Sequence, residues 1–451
     1  MSRCCLNGKN GLSGNKMSHL RIIIVGGGIA GLAAVSILFP GRFLTNRLIQ
    51  AIALREGDRE IIILEQSSIS QEIGATISLQ PNASKIVEQR WGLESRLKEL
   101  GSMVDEAFEV YNLDGERQMR IPLLTKDKYG AERMMYHRAD LFQALKERAT
   151  SPAFPGRPAS IQTSSRVVSC DCEKGFVELV NGQVLSADVI IGADGIKSTI
   201  RQSILGEDVI AHPTGLSAYR MMVPTEGLAS ETDFRNIIDP HKGCTVMVIG
   251  RDRRLIMGPA RNGTIYSVVA LVPDTNMHED STNTSWVTKG DHSKMMETFA
   301  DFPAWAQKPL QLAKGSPMGL WQLRDLEPLR TWCRERAILI GDAAHAMLPT
   351  QGQGASQAIE DAEALGAFYD EFENSAMADI PDGVAQINQA IFRCRYDRAT
   401  MIQAYSRQAA KPAVEPGEHR VKMNPAEFMD YNCSYDGARD WDRKQNQQLA
   451  F

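Results

Sequence analysis

Three glycines within one hexapeptide carry the clearest chemistry in this chain of 451 residues. Gly26-Gly27-Gly28-Ile29-Ala30-Gly31 has the form G-x-G-x-x-G, and each glycine answers a different steric demand. Gly26 permits a tight turn, Gly28 lets the backbone approach a pyrophosphate, and Gly31 lets a helix pack close against a strand. A helix starting here would aim its free N–H groups and its positive dipole end at the phosphates. Glu65 is the matching acid. It closes the apolar run Ile61-Ile62-Ile63-Leu64, a place from which a carboxylate can hold a pair of ribose hydroxyls. Further along, Gly341-Asp342-Ala343-Ala344-His345 ends another apolar run, and Gln351-Gly352-Gln353-Gly354 forms a glycine-rich turn.

The elements that must position these residues can be read from periodicity. Arg21 opens a β-branched run over 22–25 that reads as a buried parallel strand, and an Ala/Leu-rich helix follows the glycines. A helix opens at Tyr136-His137-Arg138-Ala139-Asp140 and runs to about 149. Strands are expected at 166–172 and 176–180, and at 184–191, which ends in Gly192-Ala193-Asp194-Gly195. Asp114-Gly115 and Asn181-Gly182 mark hairpin turns. Between 206 and 317 the pattern becomes strands and loops, with 219–223, 245–249, 254–258 and 264–271 forming an antiparallel sheet. A strand at 337–340 and a helix over about 355–368 precede a C-terminal stretch that is helical, then polar.

One spacing is anomalous. Glu65 lies 34 residues past Gly31, where roughly 20 are expected. Removing residues 35–50 restores an ordinary helix, turn and strand. Those sixteen residues begin Val-Ser, which a GT-A-AGT splice donor encodes. They contain Leu-Thr-Asn, which can open a CTAAC branch site, and they end in Gln, which CAG encodes. The segment reads as a short retained intron translated in frame; the alternative is a genuine insertion broken at Pro40-Gly41. Sequencing mature transcript separates the two.

Composition limits the rest. Hydrophobic residues make up 43% and charged residues 23%, enough apolar material for a sizeable core. A net charge of −5 argues against a nucleic-acid binder, which needs clustered Lys and Arg. No apolar run reaches a membrane span. The eight cysteines fit neither a disulfide framework nor a zinc site, and Cys170 and Cys172 are expected to pack as reduced thiols. No His/Asp/Glu cluster offers a metal site. Residues 1–17 read as a disordered tail; Arg3, Lys9 and Lys16 without an acid leave organellar import open, and the protein is otherwise expected to be cytoplasmic.

Taken in order, the motifs Gly26 to Gly31, Gly192-Ala193-Asp194-Gly195, and Gly341-Asp342 with Pro349 and Gly352-Gln353-Gly354-Ala355 resemble one family. It is the single-component FAD-dependent aromatic hydroxylases (group A flavin monooxygenases), in the salicylate hydroxylase-like branch with its fungal members. His137-Arg138-Ala139-Asp140-Leu141 and Ser217-Ala218-Tyr219-Arg220 are similar to family segments as well. The resemblance spans roughly 18–370.

The resemblance implies an α/β fold in which a doubly wound, glutathione-reductase-like Rossmann domain binds FAD and interleaves with a mixed or antiparallel-sheet substrate domain. The FAD domain would be discontinuous (18–98, 125–205 and 318–375), the substrate domain would take 99–124 and 206–317, and 376–451 would be a helical, then polar, C-terminal segment. Non-covalent FAD would meet Gly26, Gly28, Gly31, Glu65, Gly74, Ala75, Arg138, Asp194, Asp342, Pro349, Gly352, Gly354 and Ala355. Asp342 would accept hydrogen bonds from the ribityl chain, with a helix N-cap as its alternative. The N–H groups at Gly352 and Gly354 would face the pyrimidine end of the flavin, where charge develops on reduction. Arg138 and Asp194 would stand near the pyrophosphate; a solvated first-turn arginine and a turn aspartate are the plainer readings.

Arg220 is the substrate-side candidate, its planar fork suited to a phenolate or carboxylate, with a domain-interface ion pair as its alternative. Tyr219 is a second catalytic candidate and Tyr266 a third, because Met257 stands where a family tyrosine is expected. The implied reaction uses NADH or NADPH and O2 to hydroxylate a small phenol or phenolic acid, with or without loss of a carboxyl group, in a monomer or homodimer. Epoxidation or a dearomatising ring expansion is a second reading. A chain unable to bind FAD because of residues 35–50 is a third.

Overall fold

The computed structural model describes residues 20–35, 54–55, 59–68, 75–274, 287–316, 318–373, 375–410 and 421–448. The expected tail, residues 36–50 of the anomalous segment and Gly74 lie outside the described residues. In chain order, the elements that position the site begin with strand β1 (Arg21–Val25), helix α1 (Ile29–Val35), strand β2 (Glu60–Leu64) and helix α2 (Arg138–Thr150). Strand β3 (Val189–Gly192), helix α3 (Thr199–Leu205) and strands β4 (His212–Pro224) and β5 (Ile265–Pro273) follow. Last come strands β6 (Gly319–Asp325) and β7 (Ala337–Leu339) and helices α4 (Gly354–Glu373) and α5 (Gly383–Ala410).

The first sheet has six strands in the order Cys333–Arg334, β7, β3, β1, β2, Ser160–Gln162, parallel throughout except at the Cys333–Arg334 edge. Its β-branched residues divide by parity. Ile22, Ile24, Ile61, Ile63, Val189 and Ile191 face one core with side chains of α1, α2 and α4. Ile23, Val25, Ile62, Leu64 and Ile190 face a second core with α3 and the strand Phe176–Leu179. A strand apolar at every position is what a sheet covered on both faces demands, and each such side chain fully buried contributes roughly 1.5–3 kcal/mol. Val35, the first residue of the anomalous segment, and Leu54, beyond its end, are both buried in the first core.

The apolar run 184–191 is not one strand. Val184–Ser186 pairs with Phe176–Leu179 in a small antiparallel sheet, and β3 starts only at Val189. Between them Asp188 turns the chain, its carboxylate accepting the N–H of Arg21 at 2.8 Å.

The second large sheet has eight strands in the order Val287–Lys289, β6, β4, β5, Arg254–Ala260, Cys244–Ile249, Ala107–Tyr111, Arg117–Pro122. All pairs are antiparallel except Cys244–Ile249 with Ala107–Tyr111. Tyr219, Met221 and Val223 point to a face covered by helices, where they pack with Phe234, Phe299 and Trp305. Ala218, Leu271 and Leu323 point the other way and meet Leu348, just beyond Asp342. The strand at 219–223 is longer than its apolar run, and the helices Thr225–Ser230, His292–Thr298 and Ala304–Leu312 stand where loops were expected. Beyond α5, helices Pro425–Cys433 and Ala438–Gln448 complete the C-terminus. Among the described residues no helix is long and apolar enough to cross a membrane. Nor do three or more His, Cys, Asp or Glu side chains among them converge on a metal site.

Candidate functional site

The glycine loop follows β1 directly. Gly26 has φ +106°, and a Cβ there would lie 2.3 Å from the carbonyl oxygen of Ala193. A Cβ on Gly31 would lie 2.0 Å from the carbonyl oxygen of Gly26. Gly28 differs: a Cβ there meets nothing within 4 Å, so its missing side chain leaves room for something other than protein. Glu65, at the end of β2, accepts the Gly27 N–H at 2.8 Å and the Ser67 N–H at 2.7 Å on separate oxygens. Each oxygen keeps a lone pair for a ribose hydroxyl.

Opposite the loop, Ala75 accepts the backbone N–H of Arg138 at 2.8 Å, which seats the first residue of α2. Pro349 begins the single turn Pro349–Gln351, and Gly352 follows with φ +62°. Gln80 pins that turn by donating to the Gln351 carbonyl at 2.8 Å. Gly354 and Ala355 open α4. Side chains at Gly352 or Gly354 would again project into open space. Gly28, Gly352 and Gly354 thus each leave space free of protein where a side chain would project.

Asp342 lies just past the end of β7. The residue is exposed, yet protein surrounds it closely enough that burial pushes its carboxyl above the ordinary range, against the opposing pull of His345 and Arg138. Behind it lies a network of buried charges. Asp361, on α4, accepts the Gly341 N–H at 2.9 Å, His345 Nε2–H at 2.6 Å and Arg395 Nε–H at 2.9 Å. Burial would raise the Asp361 pKa, but His345 and Arg395 outweigh it and hold the group at about 2. Glu360 takes two hydrogen bonds from Arg398, one from Arg395 at 2.5 Å and one from Asn82 at 2.6 Å.

Asp194 takes the role of a turn aspartate. Its carboxylate accepts the Ser198 hydroxyl at 2.5 Å and the N–H groups of Thr199 and Ile200 at 2.7 and 3.1 Å. These are the unsatisfied donors at the start of α3, so Asp194 fixes its own turn. Its link to the cofactor side is through the backbone, since Ala193 is the neighbour that forbids a side chain on Gly26.

On the substrate side, β4 alternation separates the two candidates. Arg220 pairs in register with Val269 on β5 and Gly319 on β6 and shares the face of Ala218. Its guanidinium carbon lies 5.3 Å from the centroid of Trp321. Its Nε is buried and has no hydrogen-bond partner among the described residues. Burial lowers its pKa, and the like charge of Arg138 lowers it further. Trp321 lies across Gly319, whose ideal Cβ would sit 2.8 Å from the indole Nε1; that Nε1 is also buried without a partner. Half-buried Val269 and Ile256 continue this face.

Tyr219 faces the opposite side. It packs in the helix-covered core, where burial and then the charge of Asp291 raise its pKa. Tyr266 and Met257 lie in the same core. The expectation of a catalytic Tyr219 is therefore corrected by strand parity, which turns consecutive residues to opposite faces.

Charge effects connect Asp342 with Arg138 and Arg138 with Arg220, and Leu348, just beyond Asp342, packs on the face of β4 that carries Arg220, so residues 138, 220 and 342 stand on facing elements. Glycines with open space above them, an acid at the end of β2 with lone pairs to spare, and a carboxyl just past the end of β7 together fit a flavin dinucleotide. The sequence reading missed Trp321, Glu360, Asp361, Arg395 and Arg398. Paired acids inside an Ala-rich helix, and two arginines three apart on a later one, were the available signal.

The FAD binding domain family matches residues 19–376. Hispidin-3-hydroxylase of Neonothopanus nambi is 31% identical over 401 residues, which cover 86% of this chain and 88% of that one. Salicylate hydroxylase of Pseudomonas putida is 28% identical over 442 residues, 94% of each chain. A solved salicylate hydroxylase substrate complex superposes with a TM-score of 0.70 at 25% identity, covering 94% of this chain and 98% of that one. The chain belongs to the FAD binding domain family, and it is an FAD-dependent monooxygenase.

Proposed function

We propose that this member of the FAD binding domain family hydroxylates a phenol or phenolic acid, drawing reducing equivalents from NADH or NADPH and one oxygen atom from O2. The observation that carries the reading is Arg220, a half-buried arginine whose buried Nε has no partner among the described residues. A buried donor is costly unless paired, and a carboxylate or phenolate in the cleft would supply the pair. The salicylate hydroxylase name among the relatives belongs to an enzyme of a hydroxylated benzoic acid, the same chemical class.

FAD, when bound, supplies the electron transfer and oxygen activation that side chains cannot. The chain's own residues bind, orient and shield. Gly28, Gly352 and Gly354 bring backbone N–H groups near the cofactor with no side chain in between. Asp342 holds an acceptor just past the end of β7. Arg220 draws the anionic group of the substrate, and its positive charge favours the phenolate over the phenol, which makes the ring more electron-rich. Val269 and Ile256 keep that face apolar, and exclusion of water strengthens each charge interaction inside.

The test is NAD(P)H oxidation by the purified protein with matched pairs of phenolic acids and neutral phenols, with product analysis. Hydroxylated product from an acid is expected, and Arg220→Gln should raise KM for the acid about tenfold or more with flavin content unchanged. No product from any phenol or phenolic acid, or an Arg220→Gln enzyme with unaltered KM, sinks the proposal.

A further inference from the structure

We infer that Asp361 and Arg395 are positioning residues for FAD, and that α5, which begins beyond residue 376, is thereby part of the cofactor site. The argument starts at Gly341. Its backbone takes φ +59° and ψ −142°, a region that residues with a side chain avoid. A side chain is also excluded by contact, since an ideal Cβ would lie 2.9 Å from the Cβ of Ala30 on α1. The peptide just before Asp342 is therefore in a sparsely populated conformation, pressed against the helix that follows the glycine loop. Such a conformation persists only when its surroundings over-determine it.

The restraint is Asp361. One oxygen accepts both the Gly341 N–H and His345 Nε2–H, so a single buried carboxylate grips the residues on either side of Asp342. Its other oxygen accepts Arg395 Nε–H at 2.9 Å. Arg395 is itself fixed by Glu360 at 2.5 Å and by Gln357 Oε1 at 2.7 Å. Asp361 and Arg395 are 1% and 0% exposed, so no water can replace a lost partner. The chain of contacts runs from α5 through α4 to the backbone at Gly341, and so to the carboxyl that faces the cleft.

An asparagine at 361 keeps the shape but must turn an N–H toward a donor, either Arg395 or the Gly341–His345 pair. The experiment compares Asp361→Asn with Glu363→Gln. Glu363 lies on the same helix and is 2% exposed. It accepts Tyr435 OH at 3.0 Å and the Ala438 N–H at 2.8 Å, well away from Gly341 in the network. Full-length protein is stripped of flavin, checked for a cooperative melt and titrated with FAD.

Asp361→Asn should weaken FAD about tenfold or more, the cost of a charged buried hydrogen bond, and should shift the visible flavin bands of the loaded protein. Glu363→Gln should change affinity less than about threefold and leave the bands in place. Equal losses from the two variants, or wild-type affinity in Asp361→Asn, overturns the inference. Arg395→Lys covers the case in which Asp361→Asn does not fold. It retains the charge but not the Nε–H, and FAD affinity unchanged from wild type in that variant overturns the inference equally.

Discussion

The two sides of the cleft treat buried charge in opposite ways. Behind Asp342, Glu360 and Asp361 are matched by Arg395 and Arg398, and hydrogen bonds tie all four together. Across the cleft, Arg220 is half-buried, its buried Nε has no partner among the described residues, and it rests against Trp321 near the like charge of Arg138. A buried donor left without an acceptor costs about 1–3 kcal/mol, so β4 carries a cost that α4 and α5 avoid. The contrast separates two tasks. A cofactor that stays bound is served by a scaffold complete in advance. A substrate that comes and goes is recognised most sharply when it completes an interaction the protein leaves open.

The strongest test of the finished side is Gly31→Ala. The methyl group would fall 2.0 Å from the Gly26 carbonyl, so α1 or the loop must move. Flavin affinity should fall by about a thousandfold or more, since a close-packed interior absorbs little displacement, and the purified variant should be colourless. A yellow variant with normal affinity would mean that the loop is less constrained than its packing implies. The open side responds differently. Arg220→Met should cut kcat/KM for a phenolic acid by about a hundredfold, yet make the substrate-free protein about 1–2 kcal/mol more stable, because an unsatisfied buried donor is removed. Denaturant midpoints measured without substrate check this. A destabilised Arg220→Met would show that the guanidinium is already well paired, and the contrast between the two sides would fail.

Much of the finished side was legible because it depends on local steric demands. Gly26, Gly28 and Gly31 announce themselves by spacing, and Glu65 by its place after four apolar residues, even at an abnormal distance. The central strands of the first sheet carry unbroken apolar runs, Ile22 to Val25 and Ile61 to Leu64, a pattern few other structures need. The open side was legible in type and not in direction. Arg220 and Tyr219 are neighbours, and only the pairing register shows which faces the cleft; a shift of one residue exchanges them. Asp194 could be read two ways, because an aspartate at a strand end serves a ligand or a helix start equally well, and its hydrogen bonds show the second. The network through Asp361 joins residues far apart in the chain, and nothing local in Arg395 or Arg398 marks them as its members.

Gly28→Ala separates cofactor contact from protein packing. No protein atom lies within 4 Å of the added methyl, so the stripped protein should melt within about a degree of wild type, while FAD affinity drops about tenfold because the backbone no longer approaches the pyrophosphate. Unaltered affinity would place the pyrophosphate elsewhere.

The smallest effect asks whether the cofactor side is as thoroughly compensated as it looks. Glu88 lies on the Lys85–Arg90 helical turn and accepts Tyr136 OH at 2.8 Å. Burial raises its pKa to about 7 from an ordinary 4.5, with Tyr136 opposing and the charge of Glu94 adding to the rise. A carboxyl with a raised folded-state pKa favours the fold fully below pH 4.5, and that contribution is lost as pH rises through 7. Glu88→Gln removes the charge and keeps an acceptor for Tyr136. It should match wild type near pH 4.5, gain stability between pH 4.5 and 7, and level off at about 1 kcal/mol above that, after allowance for partial exposure and a weaker hydrogen bond. Denaturant melts of both proteins at pH 5 and pH 8 measure the difference directly. Equal stability at pH 8 would show that Glu88 is compensated like Glu360 and Asp361, and would sharpen the contrast with the open Nε of Arg220.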